Sequence, residues 1–343
     1  EVLGAEGPSG GPGRTLLVND EFGALACAFA SSNPTIWTDS ALRRAAIDHN
    51  REANGMTALL PELHVCGNER PEGDFDTVIV RIPKTSALLT HQLGVISSMV
   101  QPSARVVGTG MVRHIHSSTV AAFEQLIGPT TTSRATRKAR LIHATPDGNT
   151  SPAPDLEETQ FTTGSGIRVV ELPGTFSAGH IDVGSALLVE ILRDQPVPNT
   201  GAVVADLGCG NGILAAEMAM RWKHAHFVLL DVSDLAIEAA TRTWHANDLG
   251  DRMAAQVADG FDATATASVD VVVTNPPFHQ GHALDAAMTE RLLADTARVL
   301  RPGGVAYVVA QRHLHLHTRL LQWFPHVDVV SKHPSHVVLI AKK

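Results

Sequence analysis

The sequence predicts two tandem α/β domains, each built on a doubly wound parallel sheet. Three observations carry this reading. Strand-then-helix patterns return at similar intervals in both halves, four segments of one half reappear in order in the other, and a glycine-rich turn joins a buried strand to an apolar-periodic helix. With 343 residues, 44 % of them hydrophobic, the chain is long enough for two cores of ordinary size.

Taken from the N-terminus, the first 13 residues are rich in Gly and Pro, start without Met, and read as a disordered leader or an artificial edge. Thr15 to Gly23 is then aligned with Val203 to Gly210, without the alternating glycines of the second copy. Asp76 to Lys84 is aligned with Asp270 to Pro277, so that Ile82 stands where the second copy has Asn275 and Lys84 replaces Pro277. Ala104 to Val107 matches Val305 to Val308, and Arg113-His114-Ile115-His116 echoes Arg312-His313-Leu314-His315. Between the halves, Thr145 to Gln160 is rich in Pro, Asp, Glu, Thr and Ser and has no apolar period, which marks the join.

In the second half, Ala202 to Asp206 reads as a buried parallel strand. It runs through Leu207-Gly208-Cys209-Gly210-Asn211-Gly212 into a helix from about Ile213 to Trp222. Glycines at alternate positions let the backbone turn tightly and approach a ligand. The next strand ends at Asp231, 25 residues after Asp206, where an acid is placed for the ribose hydroxyls of a nucleoside. The glycine spacing is not that of the dinucleotide fingerprint, and an acid before the glycines suits an ammonium better than a pyrophosphate. Asp206, Gly208, Gly210 and Asp231 resemble the S-adenosylmethionine site of class I methyltransferases. By that resemblance Asp259-Gly260, after the strand-like Ala255-Gln256-Val257, falls at the adenine.

Val269 to Thr274 reads as a further strand that delivers Asn275-Pro276-Pro277-Phe278 to its carboxyl end, where open α/β sheets bind ligands. The exocyclic amine of a base is a weak nucleophile because its lone pair is delocalised into the ring. An Asn carbonyl and a neighbouring backbone carbonyl can accept both its N–H bonds and aim the nitrogen. The prolines stiffen the loop, and the aromatic ring offers a face for stacking. An ordinary Pro-Pro turn is the plainer alternative, and the cofactor-like segment upstream weighs against it.

Composition narrows the classes. No apolar run approaches the roughly 20 residues that span a bilayer. Cys27, Cys66 and Cys209 make neither a disulfide framework nor a zinc pattern, so a reducing cytoplasm is expected. On a strand, His313, His315 and His317 would share one face. With no Cys or acid interleaved they read as solvated or RNA-facing, and no metal is expected. The net charge of −8 hides a segregation. Thr77 to Pro146 holds eight basic residues against Glu124 alone, whereas Ser151 onward holds 14 basic and 21 acidic. Such a basic stretch is a footprint for phosphates, with Arg113, Arg134, Arg137, Lys138 and Arg140 as the expected RNA contacts.

Together these segments resemble the bacterial rRNA guanine-N2 methyltransferases built from two tandem methyltransferase-like domains. The motifs are Val18 to Leu25, Phe176-Ser177 with Ile181 to Gly184, Asp206 to Gly212, Asn275 to Gly281, and Arg312-His313-Leu314. The resemblance runs from Arg14 to Ala341 and is nearer the large-subunit enzymes than the small-subunit ones. Gln311 and His333 to His336 depart from the usual pattern.

It implies two Rossmann-like class I methyltransferase domains: a degenerate, RNA-binding copy at 14–145, a linker at 146–160, and a catalytic copy at 161–343. By the same resemblance Asn275 and the Pro276 carbonyl hold the guanine amine, Phe278 lies against the base, and Phe176 and Asp182 lie beside the methionine end of S-adenosylmethionine. The implied substrate is ribosomal RNA, naked or in an assembling subunit, and a monomer is expected. The other readings are a small-subunit rRNA enzyme, a methyltransferase for adenine N6 in DNA or a protein glutamine amide, and a non-catalytic RNA-binding assembly factor.

Overall fold

The computed structural model describes residues 13–57, 63–148, 153–175, 179–276, 283–330 and 333–343, the first few residues of the 283–330 segment by backbone only. The chain divides into two compact units that meet in sequence between Glu157 and Glu158. The expected linker therefore overlaps both: Arg70 holds Pro154 and Asp155 on the first unit, while Thr159 already begins a strand of the second.

The first unit runs β1 (Thr15–Val18), α1 (Ala24–Ala28), β2 (Thr35–Trp37), α2 (Ala41–Ala53), β3 (His64–Val65), β4 (Phe75–Arg81), α3 (Ser86–Ser97), β5 (Val100–Met111), α4 (Ser117–Leu126), β6 (Thr130–Thr132) and β7 (Ala139–Ala144). The second opens on a hairpin, β8 (Thr159–Thr162) with β9 (Arg168–Glu171), followed by α5 (Val183–Arg193), β10 (Val203–Leu207), α6 (Ile213–Arg221), β11 (His226–Asp231), α7 (Asp234–Ala246) and β12 (Met253–Val257). It continues with β13 (Val269–Thr274), α8 (Ala283–Val299), β14 (Leu300–Gln311), α9 (Leu316–Leu320), β15 (His326–Val329) and β16 (His336–Lys342).

The sheet orders are β3-β2-β1-β4-β5-β7-β6 and β12-β11-β10-β13-β14-β16-β15, one topology used twice. In each, five parallel strands end on one rim and two antiparallel strands close one edge. Strand alternation builds a core on each face. Val271 and Val273 join Val204, Leu229 and Tyr307 on one face of the second sheet; Val269 and Val272 join Ala205, Leu230 and Val308 on the other.

Smaller details repeat as well. Asp76 and Asp270 each accept the backbone N–H at the entry to the neighbouring strand, from Arg14 and Val203, at 2.8 Å. Ser40 and Ser233 cap α2 and α7 through their side chains. Gly23 and Gly212, at φ 79° and 77°, start α1 and α6 where any Cβ would meet the backbone of the next helix, at Ile47 and Ala240.

Ladder register corrects the expected alignment by one residue, or by two at Gly23, and on β5 it sets Ala104 to Val107 against Gly304 to Tyr307 and not Val305 to Val308. Val18 pairs with Val80 as Leu207 pairs with Thr274, so Arg81, not Ile82, stands at the position of Asn275, and Pro83 stands at Pro277. The shared start glycine aligns Gly23 with Gly212, so Asn19 and Glu21 stand where the second unit has Gly208 and Gly210. Val80 pairs with Gly108 and Thr274 with Val308, which puts Val112, not Arg113, opposite Arg312. A one-residue slip would turn every buried side chain to the wrong face, so the ladder decides over local similarity. His313 to His317 are not on a strand. They span a short 3-10 turn, a left-handed His315 at φ 47° and the start of α9.

Two glycines of the cofactor-like loop separate packing from binding. Gly212→Ala places a Cβ 2.9 Å from Ala240 Cα in a left-handed conformation and is expected to cost more than the roughly 1–2 kcal/mol of that conformation alone. Gly210→Ala pays only the conformational part, since nothing lies within 4 Å of its added Cβ. Thermal unfolding should show the larger loss for Gly212→Ala.

Candidate active site

The rim at the carboxyl ends of β10, β11 and β13 gathers the residues that the sequence singles out. Asp206 lies on β10, on the face shared with Val204, and is fully buried. One oxygen, Oδ2, accepts the Ala215 N–H of α6 at 3.1 Å, and the other, Oδ1, has no partner among the described residues. Burial, with the Asp231 carboxylate nearby, pushes the Asp206 pKa up to about 7. Asp231, at the end of β11, accepts the Gly210 N–H on Oδ2 and the Ser233 N–H on Oδ1, both at 3.0 Å, and burial raises its pKa as well. Between these acids Gly208 and Gly210 take φ 70° and 54°, and a Cβ added to either meets nothing within 4 Å. Burial also pushes the Cys209 thiol well above its ordinary range, which leaves it no thiolate chemistry.

These features fit the nucleoside and amino-acid ends of S-adenosylmethionine. An orphaned carboxylate oxygen beside a glycine loop suits an ammonium. Asp231 keeps acceptor capacity for ribose hydroxyls beyond its two backbone bonds. Asp259 pairs with Arg291 of α8, and Gly260, at φ 66°, has Leu292 Cδ2 2.8 Å from where a Cβ would sit. The Asp259 carboxylate is thus fixed by an ion pair that the sequence did not signal.

Asn275 follows β13 directly. Its Nδ2 donates to Asp182 Oδ1 and to Ser185 Oγ, each at 3.0 Å. Asp182 is the N-cap of α5, and the same Oδ1 accepts the Gly184 and Ser185 N–H groups at 2.9 and 3.2 Å. A carboxylate only accepts, so it fixes which end of the amide turns toward α5 and leaves the Asn275 carbonyl oxygen for another donor. Gly184 leaves room for this: a Cβ there would lie 3.0 Å from Asn275 Oδ1. Thr274 Oγ1 donates to Leu207 O at 2.7 Å and ties the base of the loop to the glycine turn.

Pro277, Phe278 and Phe176 lie outside the described residues. The structure therefore brings Asp182, Asp206, Gly208, Gly210, Asp231 and Asn275 to one rim, with Pro276 next to Asn275. It also adds two residues the sequence reading missed. Ser185 lies three residues after the helix cap, a spacing that could have identified it. Glu171 is buried at the end of β9, with Oε2 on the Gly179 N–H at 2.8 Å and Oε1 without a partner among the described residues, and no motif announces it. Among the described residues no group of three His, Cys, Asp or Glu could hold a metal ion, and no helix is long and apolar enough to cross a membrane.

Two outcomes follow from this geometry. A cationic ligand beside Asp206 favours its ionised form, so ligand binding expels a proton at low pH. Cofactor affinity should rise about tenfold per unit toward pH ~7 and then level off. Asp206→Asn should remove that rise, as calorimetry across pH will show. Ser185→Ala should lower kcat about tenfold with little change in cofactor Kd, because a loosened Asn275 misaims its carbonyl. Full turnover in that variant would remove Ser185 from the amide's support.

Comparison with known proteins supplies the family. Residues 166–340 match the methyltransferase small domain, and residues 5–148 match the RLMG N-terminal domain. The chain is 39 % identical over 337 residues to "Ribosomal RNA large subunit methyltransferase G" of Pseudomonas syringae pv. tomato, covering 96 % of this chain and 87 % of that protein. It is 37 % identical over 341 residues to the protein of that name in Streptomyces coelicolor, covering 96 % and 88 %. Among solved structures it is similar, with a TM-score of 0.80 and 25 % identity, to a T. thermophilus 16S rRNA N2 guanine methyltransferase (RsmC) in complex with AdoMet and guanosine. That likeness covers 99 % of this chain and 90 % of the other. With two class I methyltransferase folds in tandem and relatives that match along nearly its whole length, the chain belongs to the ribosomal RNA large subunit methyltransferase G family.

Proposed function

We propose that this enzyme transfers a methyl group from S-adenosylmethionine to the N2 amine of one guanine in large-subunit (23S) rRNA. The observation that carries the reading is the clamped amide: Asp182 and Ser185 both take the NH₂ end of Asn275, which frees its carbonyl for an amine. In this reading that carbonyl accepts one N–H of the guanine amine, the Pro276 carbonyl accepts the other, and Phe278 stacks on the base. Phe176 and Asp182 flank the methionine end of the cofactor, Asp206 balances its ammonium, Asp231 takes the ribose, and Asp259-Gly260 borders the adenine.

When bound, the cofactor supplies a methyl on a sulfonium; the new N–C bond forms as the S–C bond breaks, and the amine proton then leaves to water or a backbone acceptor. The protein's share is proximity and alignment. No base is required before attack, since the amine can lose its proton afterwards. A guanine that is paired in the substrate must first be turned out, at a few kcal/mol. The N-terminal unit has lost the site residues and, with Arg113, Arg134, Arg137, Lys138 and Arg140, contacts the RNA. We infer a cytoplasmic enzyme that works as a monomer.

Radiolabelled methyl transfer to purified rRNAs, naked and in subunits, followed by nucleoside analysis, tests this. N2-methylguanosine in 23S rRNA is the expected product. Label in small-subunit RNA would keep the mechanism and change the substrate; label only in DNA or in a protein glutamine would overturn it. Asn275→Ala should reduce turnover by two orders of magnitude or more while cofactor affinity stays nearly unchanged.

A further inference from the structure

The basic residues of the N-terminal unit are not spread evenly over it. β7 runs antiparallel to β5, with Gly110 opposite Arg140 and Met111 opposite Ala139. The turn that precedes β7 is thereby carried to the carboxyl end of β5. Arg113 follows that same end, and Lys84 follows the carboxyl end of the neighbouring β4. This is the rim on which the second unit builds its active site.

The turn is a two-residue hairpin, Arg137-Lys138, closed by paired hydrogen bonds of 2.9 Å between Thr136 and Ala139. Arg137 has φ 48° and Lys138 φ 66°, so both central residues are left-handed, as a type I′ turn requires. Such turns favour Asn-Gly. Two long cationic side chains are held here in a conformation that their Cβ atoms disfavour, and strain that persists at one spot marks a functional demand. The Lys138 carbonyl accepts the Val112 N–H at 2.8 Å, which fixes the tip against the end of β5.

Arg113, Arg134, Arg137 and Lys138 are exposed, and none has a carboxylate partner among the described residues. Arg140, at the base of the hairpin, has its Nε buried without a partner. On the same rim Phe22, in the loop after β1, is 59 % exposed. β1 and β7 are three strand spacings apart, about 15 Å, a span of a few nucleotides.

We infer that this rim grips single-stranded or locally opened RNA, with the strained Arg137-Lys138 tip on two phosphates and Phe22 under a base. The inference rests on the rRNA reading above and adds the site within it. Cations without partners suit a phosphate backbone, and an exposed ring among them favours nucleic acid over other polyanions.

The double change Arg137→Asn with Lys138→Gly installs the favoured turn and removes both charges. It should keep or raise the melting temperature while it weakens binding of purified 23S rRNA. Loss of two phosphate contacts makes the salt dependence shallower by about 1.4 to 1.8 in log–log slope, a loss of roughly 30-fold at about 0.1 M salt. Methyl transfer should show this as a raised KM with kcat unchanged. Phe22→Ala should weaken binding about tenfold with the salt slope unaltered. Arg105→Gln, mid-strand on β5 and level with the first residue of β1, away from the rim, should leave both quantities alone. Unchanged affinity and slope in the double variant, with wild-type protein still methylating 23S rRNA, would overturn the rim and spare the enzyme. Wild-type protein that neither binds nor methylates 23S rRNA would overturn both.

Discussion

One carboxylate oxygen, Oδ1 of Asp182, accepts three N–H bonds, two from the first turn of α5 and one from Asn275. Helix start and reactive loop are joined at that atom. Asn275 is held a second time by Ser185 Oγ, and Thr274 ties the base of the loop to Leu207. An amide that could rotate freely would present donor and acceptor equally to a guanine amine, which is itself a donor. The cap removes that freedom before any substrate arrives, at no cost in ordering at the moment of reaction. The parallel register then sets the cofactor loop beside it, since β10 and β13 are neighbours and end together.

Much of this was legible in the sequence. The strand from Val269 to Thr274 emerges with the bounds its apolar alternation gives, and the glycine-rich turn, with Asp206 and Asp231 on either side, lies where its spacing puts it. The duplication was legible too, but only as an order of segments. Its offsets were wrong by one or two residues because short apolar runs match each other almost as well when slipped, and only the inter-strand hydrogen bonds choose between registers. The Asn275–Asp182 bond joins residues 93 apart, and the Arg291–Asp259 pair comes from another helix. Contacts of that kind leave no local signal. The histidine row could not be placed for a different reason: alternate spacing implies a shared face only on a strand, and His315 turns the chain there instead.

The two units show what a shared backbone does and does not preserve. Leu17 occupies the place of Asp206, Asn19 that of Gly208, Glu21 that of Gly210, Thr38 that of Asp231, and Arg81 that of Asn275. Each change replaces a residue of the proposed site, and none disturbs the sheet order. The packing constraints survive where the backbone needs them, as at Gly23 and Gly212, because those glycines serve the approach of a helix and not a ligand.

In the first unit, Glu21 pairs with Arg81 and lies 3.9 Å from Arg43, while Asn19 and Gln92 bond each other side chain to side chain. These groups fill, from within the chain, the end of the sheet where the second unit carries its glycine turn. A half that binds a small molecule gains stability with the logarithm of that molecule's concentration above its Kd. A half that carries its own occupant does not. When such a ligand runs low, the second unit loses part of its support and the first keeps all of its own.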